Sequence, residues 1–178
     1  MKVIVIYYSY TGNNEALAKE LQRRLACSIW KIEEVHRRRG ITIFLDILFR
    51  RKPKIRKPAI QLSRFHYVIL VAPVWAGKIA GPLKTFLELE AGQISKYSFI
   101  TLCGGAGNTH LSTELENLLQ KKPLLITELS VNKLLAPEKR DKVKYTSGYR
   151  LQEGDLKVFD AEIKGFMQSV VGEVSLQT

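Results

Sequence analysis

Three short stretches of this 178-residue chain carry side chains and backbone freedom suited to gripping a small ligand, and none of them contains a carboxylate. In the first, SYTGNN, Ser9 and Thr11 offer hydroxyl donors. Tyr10 lies between them, Gly12 lets the backbone come close, and Asn13 and Asn14 can add amide donors or cap a helix. Free N–H groups at such a turn hold an anion, a phosphate above all, through hydrogen bonds and the helix dipole. An ordinary Ser/Asn helix cap reads the same way. In the second, PVWAGKIAGP, Pro73 and Val74 lead to Trp75 just beyond a strand end, where a planar aromatic ligand could stack on the indole. Packing of the indole over a neighbouring helix is the alternative. Ala76 and Gly77 continue this loop, Lys78 places a charge at its rim, and Pro82 suits the first turn of a following helix. In the third, CGGAGNT, Cys103 is followed by Gly104, Gly105 and Gly107, which permit close main-chain approach to a ligand edge or mark a tight turn.

Other chemistries find no support. There is no GxxxxGK[ST] for a phosphate loop of the nucleotide-hydrolase type, and no GxGxxG follows the first strand. Cys27 and Cys103 are far apart and outside any CxxC or His/Cys cluster, so they read as packed thiols rather than a disulfide or metal site. His36, His66 and His110 show no ligating spacing, and His110 alone falls near one of the three loops.

The loops need a frame, and the hydrophobic pattern supplies one. Residues 3–8, 67–72 and 98–103 are continuous apolar runs, the pattern of strands buried on both faces of a parallel sheet. Weaker strands are predicted over 28–35 and 124–131. Leu17, Leu21 and Leu25, then Leu83, Phe86 and Leu87, then Leu111, Leu115, Leu118 and Leu119, then Leu156, Phe159, Ile163, Phe166 and Val170 recur at helical spacing. A short amphipathic helix is predicted within 41–49, and 132–154 reads as an irregular loop before the C-terminal helix. Strands alternating with helices predict an α/β doubly wound five-stranded parallel sheet of order 2-1-3-4-5 with helices on both faces. In that order the three loops leave neighbouring strand ends at the switch point where ligands bind.

With 46% hydrophobic and 25% charged residues the chain is expected to form one domain, 1–178. No apolar run approaches the roughly 20 residues of a membrane span, so a cytoplasmic location is expected. The net charge of +11 is concentrated: residues 36–57 hold nine Lys or Arg against Asp46 alone and supply +8 of it. This insertion-like segment would suit an acidic protein or peripheral contact with an anionic membrane, and a solvated basic loop is the plain alternative. Nucleic acid is disfavoured, because interleaved aromatics and known motifs are missing.

The three loops together, in order, resemble the flavodoxin family, whose phosphate loop has the form [ST]-x-T-G-x-T. Ser9, Thr11 and Gly12 match it, and Asn14 stands in place of the last Thr. APVWAGKIAGPLKTFLE is similar to flavodoxin-like proteins with PVWAG over the flavin ring, and CGGAGNT to the loop along the pyrimidine edge and ribitol. The resemblance implies a flavodoxin-like fold binding FMN. Ser9 to Asn14 would surround the phosphate, the loop of Pro73, Val74, Trp75, Ala76 and Gly77 would cover the isoalloxazine, and Cys103, Gly104, Gly105 and Gly107 would contact the ring edge. It further implies electron transfer to a redox partner protein or small-molecule acceptor; reduction of a quinone by NAD(P)H is the alternative. Electron-carrying flavodoxins are acidic, whereas this chain is basic, so either its partner is acidic or its rim is not a carrier surface.

Overall fold

The computed structural model describes residues 2–36 and 51–175. The helix predicted within 41–49 lies outside the described residues. Five strands form one parallel sheet: β1 (Val3–Tyr7), β2 (Ser28–Lys31), β3 (Tyr67–Val71), β6 (Tyr97–Cys103) and β7 (Ile126–Ser130), in the order β2-β1-β3-β6-β7. The two remaining strands, β4 (Val74–Trp75) and β5 (Lys78–Ile79), make a separate antiparallel hairpin. With that hairpin set aside, the order is the one predicted.

The sheet is buried on both faces because its central strands carry no outward polar stripe. Every residue of β3 and β6 is buried. On one face α1 (Asn13–Leu25) and the C-terminal helix α5 (Asp160–Ser175), with Phe159 just before it, pack Leu17, Leu21, Ile163 and Phe166 against Val5, Ile69 and Ile100. On the other, α2 (Gly81–Glu90) and α3 (Leu111–Leu119) press Leu83, Phe86, Leu111 and Leu115 onto Ile4, Val68 and Phe99. Pro82 lies in the first turn of α2, where its missing N–H costs no helical bond. Of the polar residues buried in the sheet, Ser98 is matched, its hydroxyl 2.6 Å from that of Tyr67, whereas Thr101 Oγ1 is buried without a hydrogen-bond partner among the described residues. Among the described residues, no helix is long and apolar enough to cross a membrane.

β2 is shorter than the predicted 28–35. After Ile32, whose N–H reaches Tyr7 O at 2.7 Å, the chain leaves the parallel ladder to meet the segment returning from the basic stretch. Val35 N–H donates to Lys54 O at 3.0 Å and Arg56 N–H to Glu33 O at 2.8 Å, with an antiparallel bridge between Glu34 and Ile55. Pro53 then seats on the start of α2, where a Cβ on Gly81 would lie 3.0 Å from its Cδ. Lys52 pairs with Glu88 at 2.9 Å. The described end of the basic segment is thus joined to the chain just beyond β2 and to α2.

Parallel register brings the carboxyl ends of β1, β3 and β6 level, with Tyr7 opposite Val71 and Val71 opposite Ile100. The three loops therefore emerge side by side at one edge of the sheet.

The two helices of one face are joined by charge. Arg24 donates to Glu20 at 2.6 Å and to Asp160 at 2.7 Å, while Arg23 also holds Glu20. The Arg23 hydrogen bond, followed by that of Arg24, pulls the Glu20 carboxyl from 4.5 down to about 2. Its folded value lies below its unfolded one, so the stabilisation is present above pH 4.5 and disappears as pH falls toward about 2. Glu20→Gln should show a smaller loss of melting temperature than the wild-type chain across that acid window, read by circular dichroism; equal losses would reject the linkage.

Candidate functional site

The turn after β1 begins the site. Gly12 takes φ 93°, a left-handed conformation that a side chain would strain, and its N–H donates to Ser9 Oγ at 3.1 Å. α1 starts at the next residue, so its first-turn N–H groups lack intrahelical acceptors, and Thr11, Asn13 and Asn14 line the cleft there. The asparagine side chains do something other than the amide donation to a ligand suggested by their position. Asn14 is buried, donating from Nδ2 to Leu102 O and accepting from Leu102 N–H, both at 2.9 Å. Asn13 likewise donates to Tyr149 O and accepts from Leu151 N–H, both at 3.0 Å. Both amides are consumed in joining α1 to β6 and to the strap after β7, which leaves the main-chain N–H groups to face a ligand.

The second wall is the β4–β5 hairpin, where the sequence predicts only a loop. Its turn has positive φ at Ala76 (48°) and Gly77 (72°), the type I′ geometry whose twist suits a two-residue hairpin. That hairpin holds Trp75 half-buried, edge-on to Tyr8 at 6.1 Å and 88° and to Tyr10 at 6.3 Å and 89°. Trp75 thus both packs on the core and lines the cleft. Ile79 N–H donates to Glu114 at 2.8 Å, and Glu114 pairs with Lys84, fixing the hairpin to α3 and α2.

The third wall, residues 103–108, is braced from β7. Glu128 accepts from Asn108 N–H at 3.1 Å and from the Asn108 side-chain amide. A Cβ on Gly77 would stand 3.5 Å from Asn108 Oδ1, so the second and third loops touch. The Cys103 thiol donates to Gly105 O at 2.8 Å; burial, reinforced by the nearby Glu128 charge, pushes it up to about 12. It is a protonated packing group rather than a nucleophile.

Together these loops enclose a cleft of about 750 Å³, within the usual range for small-molecule sites. Tyr10, Thr11, Asn13, Asn14, Pro73, Val74, Trp75, Ala76, Gly77, Cys103, Gly104 and Gly105 line it. Ser9, Gly12 and Gly107 do not: Ser9 and Gly12 shape the first turn from behind, and Gly107, at φ 90°, bends the third. Lys78 and His110 are exposed and also stay outside the lining. A fourth wall was missed in sequence reasoning. Val131, Asp141, Val143, Thr146 and Ser147 come from the strap between β7 and α5, which includes the single helical turn α4 (Val143–Thr146). Thr146 packs so closely that a Cβ on Gly104 would come within 3.1 Å of its Oγ1. The available signal was length, since connections of this span with little regular structure are commonly functional.

The lining contains no Lys or Arg, and Asp141 is its single carboxylate. Such a cleft can take an anionic group at the α1 start through neutral donors and a planar group against Trp75, with small residues on the facing side.

Residues 1–127 match the family described as NADPH-dependent FMN reductase. No curated protein matches the chain in sequence. Among solved structures, a flavoprotein from Lactobacillus acidophilus in complex with FMN superposes with a TM-score of 0.62 at 15% identity, covering 79% of this chain and 99% of that one. The flavodoxin, WrbA-like protein from Agrobacterium tumefaciens does so with a TM-score of 0.53 at 13% identity, covering 97% of each chain. At these identities the likeness shows the shared flavodoxin-like fold.

Removing the Asn14 amide would leave the buried Leu102 N–H and C=O without partners, so Asn14→Ala should cost about 2–4 kcal/mol in urea unfolding. Asn14→Asp, which retains an acceptor for Leu102 N–H, should cost less; equal stability of all three proteins would remove the clamp. Cys103 should resist a thiol reagent at about pH 8 in the native protein and react at once in urea. Fast native labelling of Cys103, located by peptide mass, would contradict its protonated, buried state.

Proposed function

The chain belongs to the NADPH-dependent FMN reductase family, and on that premise we propose that it holds FMN in the cleft and passes electrons through it as a redox protein. The observation that carries this reading is the placement of a helix start with uncharged donors and a half-buried indole on the walls of one cleft. The FMN bound to the Lactobacillus acidophilus flavoprotein supports it.

The residues present fit the cofactor. Thr11 Oγ1 and the first-turn N–H groups of α1 would hold the phosphate, and the helix dipole favours its negative charge without a lysine. Trp75, steadied edge-on by Tyr8 and Tyr10, would bear on the isoalloxazine. Gly104 and Gly105 would let the main chain approach the ring edge, with Asn108 held by Glu128 behind them. When bound, FMN supplies the one- and two-electron chemistry. The chain contributes binding, orientation and exclusion of water.

A second reading is favoured by the family and by the third loop, where no side chain between Cys103 and Asn108 is larger than alanine. Such a wall leaves room beside the ring for a planar substrate, so that the protein would oxidise NADPH and reduce a quinone-type acceptor.

Protein purified in excess FMN and desalted should keep a flavin absorption spectrum, and Trp75→Ala should weaken FMN binding about tenfold. A colourless, FMN-free product would end the proposal. Steady-state NADPH oxidation with a quinone by the FMN-loaded protein decides the second reading, and absence of turnover rejects it.

A further inference from the structure

Among the described residues, the strap places a set of cations next to cleft-lining positions. The strap forming the fourth wall carries Lys139, Arg140, Lys142, Lys144 and Arg150, all exposed. Basic residues elsewhere are commonly neutralised by a carboxylate: Lys19 and Lys31 by Glu15, Arg24 by Glu20 and Asp160, Lys84 by Glu114. None of the five strap cations pairs with a carboxylate among the described residues. Glu138 and Asp141 share the strap, so the five charges leave +3 over residues 137–150.

These charges sit on an ordered backbone. Asn132 donates to Asp141 at 2.5 Å, and Asp141 N–H donates back to Asn132 at 3.0 Å. Lys139 and Lys144 both stand over the Tyr145 ring, at 5.8 and 5.6 Å. Between Lys142 and Lys144 lies Val143, which lines the cleft and yet is 76% exposed. An exposed apolar residue that lines the cleft, flanked in the chain by cations without carboxylate partners among the described residues, has the composition of a docking surface that works by charge steering with a small dry centre.

We propose that this rim docks an acidic one-electron protein, which exchanges electrons with the flavin beside Val143. The inference rests on the FMN reading above. Each encounter passes one electron, so two reduced partner molecules and two protons from solvent convert one FMN to FMNH2, leaving two oxidised partners. Five exposed cations and the exposed Val143 within residues 139–150 offer a protein partner both steering charge and an apolar contact.

The test uses the full-length FMN-loaded chain and a strongly acidic [2Fe–2S] ferredoxin as probe, with flavin reduction followed by stopped flow. The rate constant should fall at least about tenfold between low salt and about 0.5 M salt. At low salt Lys142→Glu/Lys144→Glu should lose about tenfold as well, and Lys142→Gln/Lys144→Gln part of that. Lys96→Glu/Lys122→Glu, with the same charge change at the opposite edge of the sheet, should leave it close to the wild-type value. FMN affinity, read by quenching of flavin fluorescence, should be unchanged in all of them. Rates indifferent to salt and to the strap substitutions would overturn the proposal. So would an effect of the strap confined to KM for NADPH, which would make it a nucleotide site. Failure of the wild-type chain to bind FMN would instead refute the cofactor reading. Ferredoxin binding to the strap, measured by titration calorimetry on the same samples, separates the two.

Discussion

The site is held together by two neighbouring side-chain amides at the start of α1. Asn14 closes a pair of hydrogen bonds on Leu102 of β6, and Asn13 closes another on Tyr149 and Leu151 of the strap. Each amide satisfies main-chain groups that the chain cannot pair within a ladder, and leaving buried groups unpaired is costly. By spending side chains on this task, the turn keeps its own N–H groups for a ligand. The α1 end of the cleft, β6 and the strap are consequently set relative to one another by four hydrogen bonds rather than by loop packing alone.

The remaining walls follow the same logic of bracing from behind. A two-residue turn with positive φ at Ala76 and Gly77 folds the second loop back on itself and presents Trp75 against two tyrosines. Glu128 grips Asn108 from the adjacent strand, and Thr146 closes on Gly104. Small residues appear where another wall comes near. At Gly104 even a methyl group would crowd the strap. The result is a cleft lined by no Lys or Arg and by one carboxylate, Asp141, although the chain as a whole carries +11.

That separation of charge from cleft has a physical rationale. A flavin phosphate at a helix start is met by dipoles, which act at short range and do not repel a cationic surface nearby. On the docking proposed above, the strap cations are left for steering at the rim. Residues 51–57, part of the most basic stretch, are built into the β2 edge: Lys52 pairs with Glu88, Arg56 with Glu33 at 3.4 Å, and the backbone of 54–56 with that of 33–35. In the described part of that stretch, two of the cations, Lys52 and Arg56, are thus held by carboxylates.

The sequence by itself determined the sheet and its order, because buried parallel strands are written as unbroken apolar runs and their crossovers admit few topologies. It also located three of the four walls, since glycines, hydroxyls and an out-of-place tryptophan follow strand ends in a recognisable order. What each side chain does there was decided by tertiary structure. Asn13 and Asn14 look like ligand donors until their partners, 88 to 138 residues away, are known. The hairpin at residues 74–79 is too short to announce itself by alternation. The strap has no period at all, because it takes its shape from Asn132, Asp141 and the first turn of α1 rather than from its own apolar pattern. Local periodicity reports burial along one element, whereas hydrogen bonds between distant segments leave no such trace, and this site is made mostly of the latter.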